Sequence, residues 1–376
     1  MKRFIIQVLK FICPLVVLLI LPSYILWKSK ENFTLLDKIA IDKSKYIVGY
    51  GYASNESNYN YLKWTYLNLN EKKQVWTLGS SRVLEFRREM FDSSFYNVGF
   101  MIQGINQFRP FLKSIPTNKY PKYLIIGLDH WWFNSSWDNL SQAPSENYWK
   151  NSANFLPKPS TITSVYEDFF SKKITFNLLK GNGHPLSIGL NALINNTGYR
   201  NDGSMYYGEQ IAGLINHSKT VEDYEYSDTF ERIKKGNLRF NYGTSVNEKA
   251  LIELAELLKY CKRYKIEVIA IMPPFADKVY DKMTQSNKYR YLTEIYTKAK
   301  PLFDHYNYEI YDFSKVSLCG SKDNETIDGF HGGEVTYQKI MIKMLDAGSV
   351  LNSCVNVKRL KLDITKKKNN YQVYDY

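Results

Sequence analysis

Cysteine and histidine are scarce in this chain, with four cysteines and five histidines among 376 residues. No Cys-x-x-Cys pair and no Cys/His set has metal-ligand spacing, so we expect neither a zinc module nor another metal or cofactor. The same scarcity excludes a disulfide-dense fold, although one disulfide among Cys261, Cys319 and Cys354 stays open. No helix-turn-helix, RNP or zinc-finger pattern occurs, and nucleic-acid binding is therefore not expected.

The composition is that of a globular protein. Apolar residues make up 44% of the chain and charged residues 23%, which fits one large α/β domain or two small ones. The formal charge of +13 has two explanations, attraction to anionic lipids or acidic cell-surface polymers and a compositional bias that also makes Asn and Tyr abundant. We favour the second, in which most lysines are solvated surface residues.

The N-terminus carries a long apolar run. Lys2 and Arg3 precede an apolar stretch at residues 4–9, and 17 uncharged residues follow Lys10 at 11–27. The two stretches suffice for one membrane helix if Lys10 snorkels to the interface. No small-x-small cleavage site follows, so we expect an uncleaved single-pass anchor rather than a signal peptide. The narrow excess of basic residues before the helix predicts that the rest of the chain lies outside the cytoplasm.

Short apolar segments separated by helical patterns occur from residue 74 onward. They predict five buried parallel strands at 75–78, 95–98, 123–126, 268–272 and 309–311. The capping sequence Ser245-Val246-Asn247-Glu248 predicts a helix before the fourth strand. The chain thus divides into a membrane anchor (1–30), a tyrosine-rich stalk (31–73), an α/β sheet domain (74–350) and a basic tail (351–376), of which residues 358–376 are expected to be solvated. Residues 135–242 exceed an ordinary crossover and predict a lid or substrate-binding insertion.

Two short segments, far apart in the chain, can together supply a serine nucleophile and its base. Gly79-Ser80-Ser81-Arg82 follows the first strand, and Asp328-Gly329-Phe330-His331 follows the last one. A serine hydroxyl becomes nucleophilic when an imidazole accepts its proton and a carboxylate orients that imidazole. Because active sites of parallel sheets form at the carboxyl ends of strands, Ser81, Asp328 and His331 are the candidate catalytic residues.

Two other strand ends carry further candidates. Asn97-Val98-Gly99 follows the second strand, where the Gly99 N–H can bind a developing oxyanion. The third strand ends at Gly127-Leu128-Asp129 and leads directly into His130-Trp131-Trp132-Phe133-Asn134. These rings fit either a buried aromatic cluster or a sugar-stacking surface. We assign Trp131, Trp132 and Asn134 to substrate binding.

In chain order, these segments resemble the sequence blocks of the SGNH, or GDSL-like, hydrolase and acyltransferase superfamily. The resemblance implies a three-layer α/β/α flavodoxin-like fold over roughly 74–347, with Ser81 as nucleophile, Asp328 and His331 as acid and base, and the N–H groups of Ser81 and Gly99 as oxyanion donors. The third block normally supplies Asn, whereas this chain has Asp129, which cannot donate when ionised. A protonated Asp129 that completes the oxyanion hole, an Asp129 that orients His130, and a structural Asp129 remain as alternatives.

An N-terminal anchor joined to such a domain is similar to membrane-attached proteins of alginate O-acetylation and of D-alanine transfer to teichoic acids. In some of these the base comes from an Asp-x-His-Trp segment that precedes the serine in the chain. Asp129-His130-Trp131 is similar to that segment but follows Ser81 and lacks the intervening residue, and it makes His130 the alternative base. The resemblance implies a serine esterase or O-acyltransferase for O-acyl groups, such as O-acetyl, of an extracytoplasmic glycan. The glycan, an acyl donor and a membrane-embedded acyl-transfer protein are its expected partners. The alternative is a catalytically silent glycan-binding or assembly factor.

Overall fold

A computed structural model describes residues 1–31, 36–41, 46–49, 57–137, 140, 142–153, 158–180 and 186–375. The chain divides into two compact units. The N-terminal unit comprises Met1–Tyr66, Asn151–Asn201 and Tyr206–Glu209. The sheet unit comprises Leu67–Lys150, Asp202–Met205 and Gln210–Tyr376. The predicted insertion at 135–242 therefore contributes residues to both units.

Strands and helices are numbered here in chain order. The strands are β1 (Tyr46–Val48), β2 (Val75–Leu78), β3 (Phe95–Val98), β4 (Tyr123–Gly127), β5 (Leu186–Ile188), β6 (Thr197–Arg200), β7 (Met205–Tyr207), β8 (Glu267–Met272) and β9 (Glu309–Asp312). The α-helices are α1 (Lys2–Lys28), α2 (Leu36–Ile41), α3 (Ser57–Leu69), α4 (Phe108–Lys113), α5 (Pro159–Phe170), α6 (Leu190–Asn195), α7 (Gly208–Ile215), α8 (Ser227–Lys235), α9 (Glu248–Arg263), α10 (Asp277–Thr284), α11 (Tyr291–Tyr306), α12 (Glu334–Asp346) and α13 (Val357–Thr365).

A five-stranded parallel sheet forms the centre of the sheet unit, and its strands are those predicted from the sequence. The strand order is β3-β2-β4-β8-β9, with every neighbouring pair parallel. Numbered within this sheet, the order is that of doubly wound, flavodoxin-like folds. The order reverses between β2 and β4. The carboxyl ends of these two strands therefore border the switch point, where ligands bind in such sheets.

Helices cover the sheet because the strands are apolar on both faces. On one face, Val75 and Ile125 belong to the same buried cluster as Ile340 and Met341 of α12. The helices α9 and α11 contact each other and lie against β8 and β9. The start of α9 differs from the predicted capping box, because the Asn247 side chain, rather than that of Ser245, caps the helix by accepting from Lys249 N at 3.1 Å.

The N-terminal unit contains α1, the one helix among the described residues that is long and apolar enough to cross a membrane. Its other main feature is a small sheet of order β5-β1-β6-β7, in which β1 runs parallel to β5 and antiparallel to β6. The predicted stalk therefore contributes strand β1 to a sheet whose other strands come from the predicted insertion.

The C-terminal residues are not the solvated tail predicted from their lysines. Leu351 and Leu360 are fully buried and belong to the cluster that includes α12. The Asn356 side chain caps α13 by accepting from Arg359 N at 3.1 Å. The prediction was wrong because the lysines alternate with apolar residues, so that α13 turns one face to the core and keeps its charges outside.

Candidate active site

The segment after β2 places Ser81 at the switch point. A Cβ added at Gly79 would stand 3.3 Å from Val83 Cγ1 and 3.4 Å from the Gly127 backbone, so a glycine suits this close approach to β4. The Ser80 Oγ accepts from Arg82 N at 3.1 Å and caps a single 3₁₀ turn, Ser81–Val83. This turn leaves Ser81 partly exposed while Arg82 is buried.

Ser81, His331 and Asp328 form a continuous hydrogen-bonded chain. Ser81 Oγ lies 2.8 Å from His331 Nε2, and His331 Nδ1 lies 2.6 Å from Asp328 Oδ2. An ionised carboxylate can only accept, so the imidazole proton belongs on Nδ1 in this arrangement. Nε2 is then the acceptor for the Ser81 hydroxyl proton. The structure thus brings together the three predicted catalytic side chains in the geometry that serine activation requires.

The Asp328 carboxylate is held by the turn that contains it. Its Oδ1 accepts from Phe330 N at 2.8 Å and from His331 N at 2.7 Å. Burial alone raises the pKa of Asp328, but the His331 charge and the hydrogen bonds from His331 and from the two amides outweigh it, so the net pKa is lowered. Asp328 and His331 side chains each keep 15% exposure. Asp328 is therefore ionised, and both side chains are accessible to solvent.

Neighbouring segments fix the loop that carries Asp328 and His331. Ile327 N donates to His331 O at 2.8 Å across the base of the loop. Ala276 N, in the segment after β8, donates to Gly329 O at 3.2 Å. Asp223 Oδ2 accepts from Gly329 N at 3.0 Å. The position of His331 thus depends on segments that lie far apart in the sequence.

The buried guanidinium of Arg82 connects three loops around the site. Its Nε donates to Phe330 O at 2.9 Å and its Nη2 to Pro273 O at 2.6 Å. Its Nη1 lies 3.4 Å from Asp129 Oδ1, and the Phe275 ring lies 4.1 Å from the guanidinium carbon. Burial lowers the pKa of Arg82, and the Asp129 charge opposes that effect. Arg82 therefore holds the strand ends of β2, β4 and β8 to the His331 loop.

Asp129 is the buried partner of Arg82, and this favours the structural alternative for its role. Burial raises the pKa of the Asp129 carboxyl above its ordinary value, and the charge of Arg82 and the hydrogen bond from the Ser80 side chain offset that rise only in part. Neither ring nitrogen of His130 hydrogen-bonds a side chain among the described residues. The alternative in which Asp129 orients His130 is therefore wrong for this structure.

The two predicted oxyanion donors differ in whether their N–H groups already donate a hydrogen bond within the protein. Gly99 N donates to Asn97 Oδ1 at 2.8 Å, within its own turn. Asn97 Nδ2 in turn donates to Val83 O at 2.8 Å, which ties that turn to the Ser81 segment. The backbone N–H of Ser81 donates to none of the described residues. Ser81 N–H is thus open to an oxyanion, whereas Gly99 N–H can act only if its bond to Asn97 breaks.

His130 does not occupy the position of a base. It is 2% exposed, and Ser81 already bonds His331 instead. Its ring stacks on Tyr291 at a centroid distance of 6.3 Å and meets Phe275 edge-on at 4.6 Å. Burial and the nearby charge of Arg82 lower its pKa well below the usual value. The alternative assignment of His130 as the base is therefore corrected: it is an uncharged core residue.

Trp131, Trp132 and Asn134 are also core residues rather than a sugar-stacking surface. Their exposed fractions are 2%, 0% and 1%, so no ring face is open to a ligand. Trp132 meets Phe108 edge-on at 5.5 Å. Asn134 Nδ2 donates to Asn241 O at 2.6 Å, which fixes the loop after the rings. The prediction was wrong because the same residues suit both environments, and the apolar rings pack inside.

Sequence reasoning missed two residues that support the site. The Tyr337 hydroxyl, on α12, donates to the carbonyl oxygen of Arg82, and Arg82 itself was not predicted to act. A signal for Arg82 was present, since an arginine followed directly by Val83 and Leu84 is a charge within a buried segment. Among the described residues, no group of three or more His, Cys, Asp or Glu side chains could hold a metal ion.

Comparison with known proteins adds no relative. No protein-family model matches this chain, and no curated protein matches it significantly. The resemblance to SGNH enzymes therefore depends on the sequence segments quoted above.

Proposed function

We propose that this chain is a membrane-anchored serine esterase or O-acyltransferase of the SGNH type, which acts on O-acyl groups, such as O-acetyl, of an extracytoplasmic glycan. The observation that carries the proposal is the hydrogen-bonded chain from Asp328 through His331 to Ser81, with contacts of 2.6 and 2.8 Å. Its place at the switch point of a doubly wound sheet adds support. A structural serine would not need both partners in this order.

Ser81 Oγ attacks the carbonyl carbon of the acyl donor while His331 Nε2 takes the hydroxyl proton. Asp328 stabilises the imidazolium through its bond to Nδ1 and does not itself become protonated. The tetrahedral intermediate collapses to acyl-Ser81, and the leaving alcohol takes the proton back from His331. A sugar hydroxyl or water then gives its proton to His331, attacks the acyl-serine, and releases Ser81 by the reverse steps.

The oxyanion of each intermediate needs donors that are positioned in advance. Ser81 N–H supplies one. Gly99 N–H becomes a second if substrate displaces the Asn97 carboxamide from it. Asp129 remains paired with Arg82 and supports the site without touching the substrate.

The membrane location of the proposed enzyme depends on α1. Its apolar length supports a single-pass anchor, and the basic residues before it favour a sheet unit outside the cytoplasm. An extracytoplasmic, tethered enzyme has cell-envelope glycans as its nearest macromolecular substrates. A membrane-embedded acyl-transfer protein is the proposed source of the acyl group.

The test measures turnover of a small acyl ester and of an O-acetylated polysaccharide by the full chain. Ser81→Ala and His331→Ala should reduce both activities to background. The matched controls are Ser160→Ala and His305→Ala, whose side chains are exposed and far in sequence from the site, and both should retain full activity. Full activity in Ser81→Ala would overturn the assignment. Comparing rates with and without an acceptor polysaccharide separates transfer from hydrolysis.

The second candidate is a catalytically silent glycan-binding or assembly factor. One observation favours it: Ser81 N–H is the one predicted oxyanion donor that the described residues leave open, because Gly99 N–H is engaged and Asp129 pairs with Arg82. The second candidate function predicts that Ser81→Ala binds the polysaccharide as well as the native chain does, and that the native chain turns over no acyl ester.

A further inference from the structure

Pro22 deprives one carbonyl group of α1 of its usual partner. Proline has no backbone N–H, so the carbonyl of Leu18, four residues earlier, lacks its helical donor. The Tyr166 hydroxyl of α5 donates to that carbonyl. Both residues belong to the N-terminal unit. Helix α5 therefore lies beside an apolar turn of α1 rather than beyond the end of the helix.

The side chains of α1 change from exposed to buried along the helix. Among the side chains that the structure describes, the large apolar ones between Phe4, 69% exposed, and Ile20, 60% exposed, are exposed. Ile25 and Leu26 are buried at 0% and 2% and form a cluster with Val165, Ile174, Leu179 and Leu190. The uncovered part of α1 is the part suited to lipid. Residues 159–180 lie against the last turns of α1, from Leu18 to Leu26.

Large aromatic side chains are exposed at this same level. Tyr24 and Trp27 of α1 are 40% and 57% exposed, Phe170 at the end of α5 is 74% exposed, and Phe176 is 53% exposed. Tyr24 contacts both Trp27 and Phe176, with centroid distances of 6.2 Å. Aromatic side chains collect at the boundary between hydrocarbon and headgroups, where one end of the ring is apolar and the other wet.

The segment that carries Phe170 and Phe176 is rich in lysine, although α5 also exposes the acidic Glu167. Lys158, Lys172 and Lys180 are exposed and form no ion pair with a described residue, and Lys28 lies 5.2 Å from the Trp27 ring. Lys173 pairs with Asp168 at 3.6 Å. Lysines in the same segments as the exposed aromatic rings have the charge that anionic phospholipid headgroups attract.

We propose that Tyr24, Trp27, Phe170 and Phe176 form an aromatic interface surface that sits in the headgroup region of an anionic phospholipid bilayer. The N-terminal unit then contacts the membrane through two segments, the spanning helix α1 and residues 159–180 beside it. The proposal rests on the membrane anchor in the proposed function and goes beyond it, because a single-span anchor alone leaves residues 159–180 in water.

The test uses the full chain in nanodiscs of phosphatidylcholine and phosphatidylglycerol, with Cys13→Ser removing the exposed thiol. Single cysteines at Phe170→Cys, Val17→Cys and Ile252→Cys carry an environment-sensitive fluorophore. Val17 and Ile252 are 59% and 62% exposed, on α1 and on α9. Lipids with a nitroxide near the headgroup should quench the Phe170→Cys label at least about twofold more than the Ile252→Cys label. A nitroxide deep in the acyl chain should quench the Val17→Cys label.

The outcomes separate this inference from the anchor. A Phe170→Cys label that is quenched no more than the Ile252→Cys label, while Val17→Cys is quenched, overturns the aromatic interface surface and leaves the anchor in place. An unquenched Val17→Cys label overturns both. Phe176→Cys repeats the measurement at a second position of the surface, and matching circular dichroism spectra show that each variant is folded.

Discussion

Arg82 Nε donates a hydrogen bond to the backbone carbonyl of Phe330, 2.9 Å away, and so ties the residue after Ser81 to the residue before His331. The same guanidinium reaches Pro273 O and Asp129. A charge buried at 1% exposure is costly unless it is paired and hydrogen-bonded. The contacts of Arg82 meet that requirement while they set the spacing of the two candidate catalytic residues.

Arg82→Ala should lower the free energy of unfolding by about 3–5 kcal/mol, because it leaves a buried carboxyl and two buried carbonyls without their donor. Asp129→Asn in the same background removes the carboxyl that lost its partner. The double variant should therefore be less destabilised than the sum of the single variants. Urea unfolding of the native chain, Arg82→Ala, Asp129→Asn and the double variant gives the coupling free energy between the two side chains. Additivity within about 0.5 kcal/mol would show that the pair does not act as a unit.

The lowered pKa of Asp328 predicts a stability effect on the acid side. Its stabilising contribution is present above the ordinary aspartate pKa of about 4 and is lost as pH falls through the lower pKa of the folded state. The native chain should therefore exceed Asp328→Asn in free energy of unfolding by a constant margin at neutral pH, and that margin should shrink below about pH 4. Urea titrations at several pH values measure it, with the half-exposed Asp346→Asn as control. A margin independent of pH would refute the assignment of an ionised, paired Asp328.

Tyr166→Phe should destabilise the N-terminal unit by about 0.5–1.5 kcal/mol, the usual net contribution of one intramolecular hydrogen bond. The loss should be smaller in a Pro22→Ala background, because alanine restores the N–H that can pair with Leu18 O within α1. Thermal unfolding of the detergent-solubilised chain compares the four variants. Equal losses in both backgrounds would mean that Tyr166 does not substitute for the donor missing at Pro22.

Leu360→Ala should cost about 2–5 kcal/mol, as expected for truncating a fully buried leucine. Its matched control is Leu362→Ala on the same helix, where the side chain is 52% exposed and the change should stay within about 0.5 kcal/mol. Chemical denaturation of both variants tests whether α13 belongs to the core. Equal, small changes in the free energy of unfolding of both variants would instead support the solvated tail predicted from the sequence.

The central sheet could be predicted because its strands are short, mostly apolar segments that end in or are followed by glycine, proline or a polar residue. The carboxyl ends of parallel strands meet at one edge, so Ser81 and His331 could be expected to approach each other from sequence alone. The small sheet of the N-terminal unit could not be predicted in this way. Strand β1 has three residues and pairs with β5 and β6, which lie more than a hundred positions further along the chain.

Residue types alone also did not predict which side chains are buried. Trp131 and His130 have side chains that suit a ligand surface as well as a core. Only the packing decides between these environments: His130 packs against Phe275 and Tyr291, and Trp131 against His130 and Trp132. Arg82 shows the opposite case. Arginine side chains are mostly exposed in proteins, yet the carbonyls of Phe330 and Pro273 and the carboxyl of Asp129 provide partners for this one inside the protein.

The most direct test of the proposed function is whether Ser81 reacts as a nucleophile that His331 activates. The folded full-length chain is treated with a fluorophosphonate probe, and mass spectrometry locates the adduct. The account predicts an adduct on Ser81, none in Ser81→Ala, a strongly reduced adduct in His331→Ala, and unchanged labelling in Ser160→Ala. No adduct on Ser81 in folded protein, or equal labelling in His331→Ala, would contradict it.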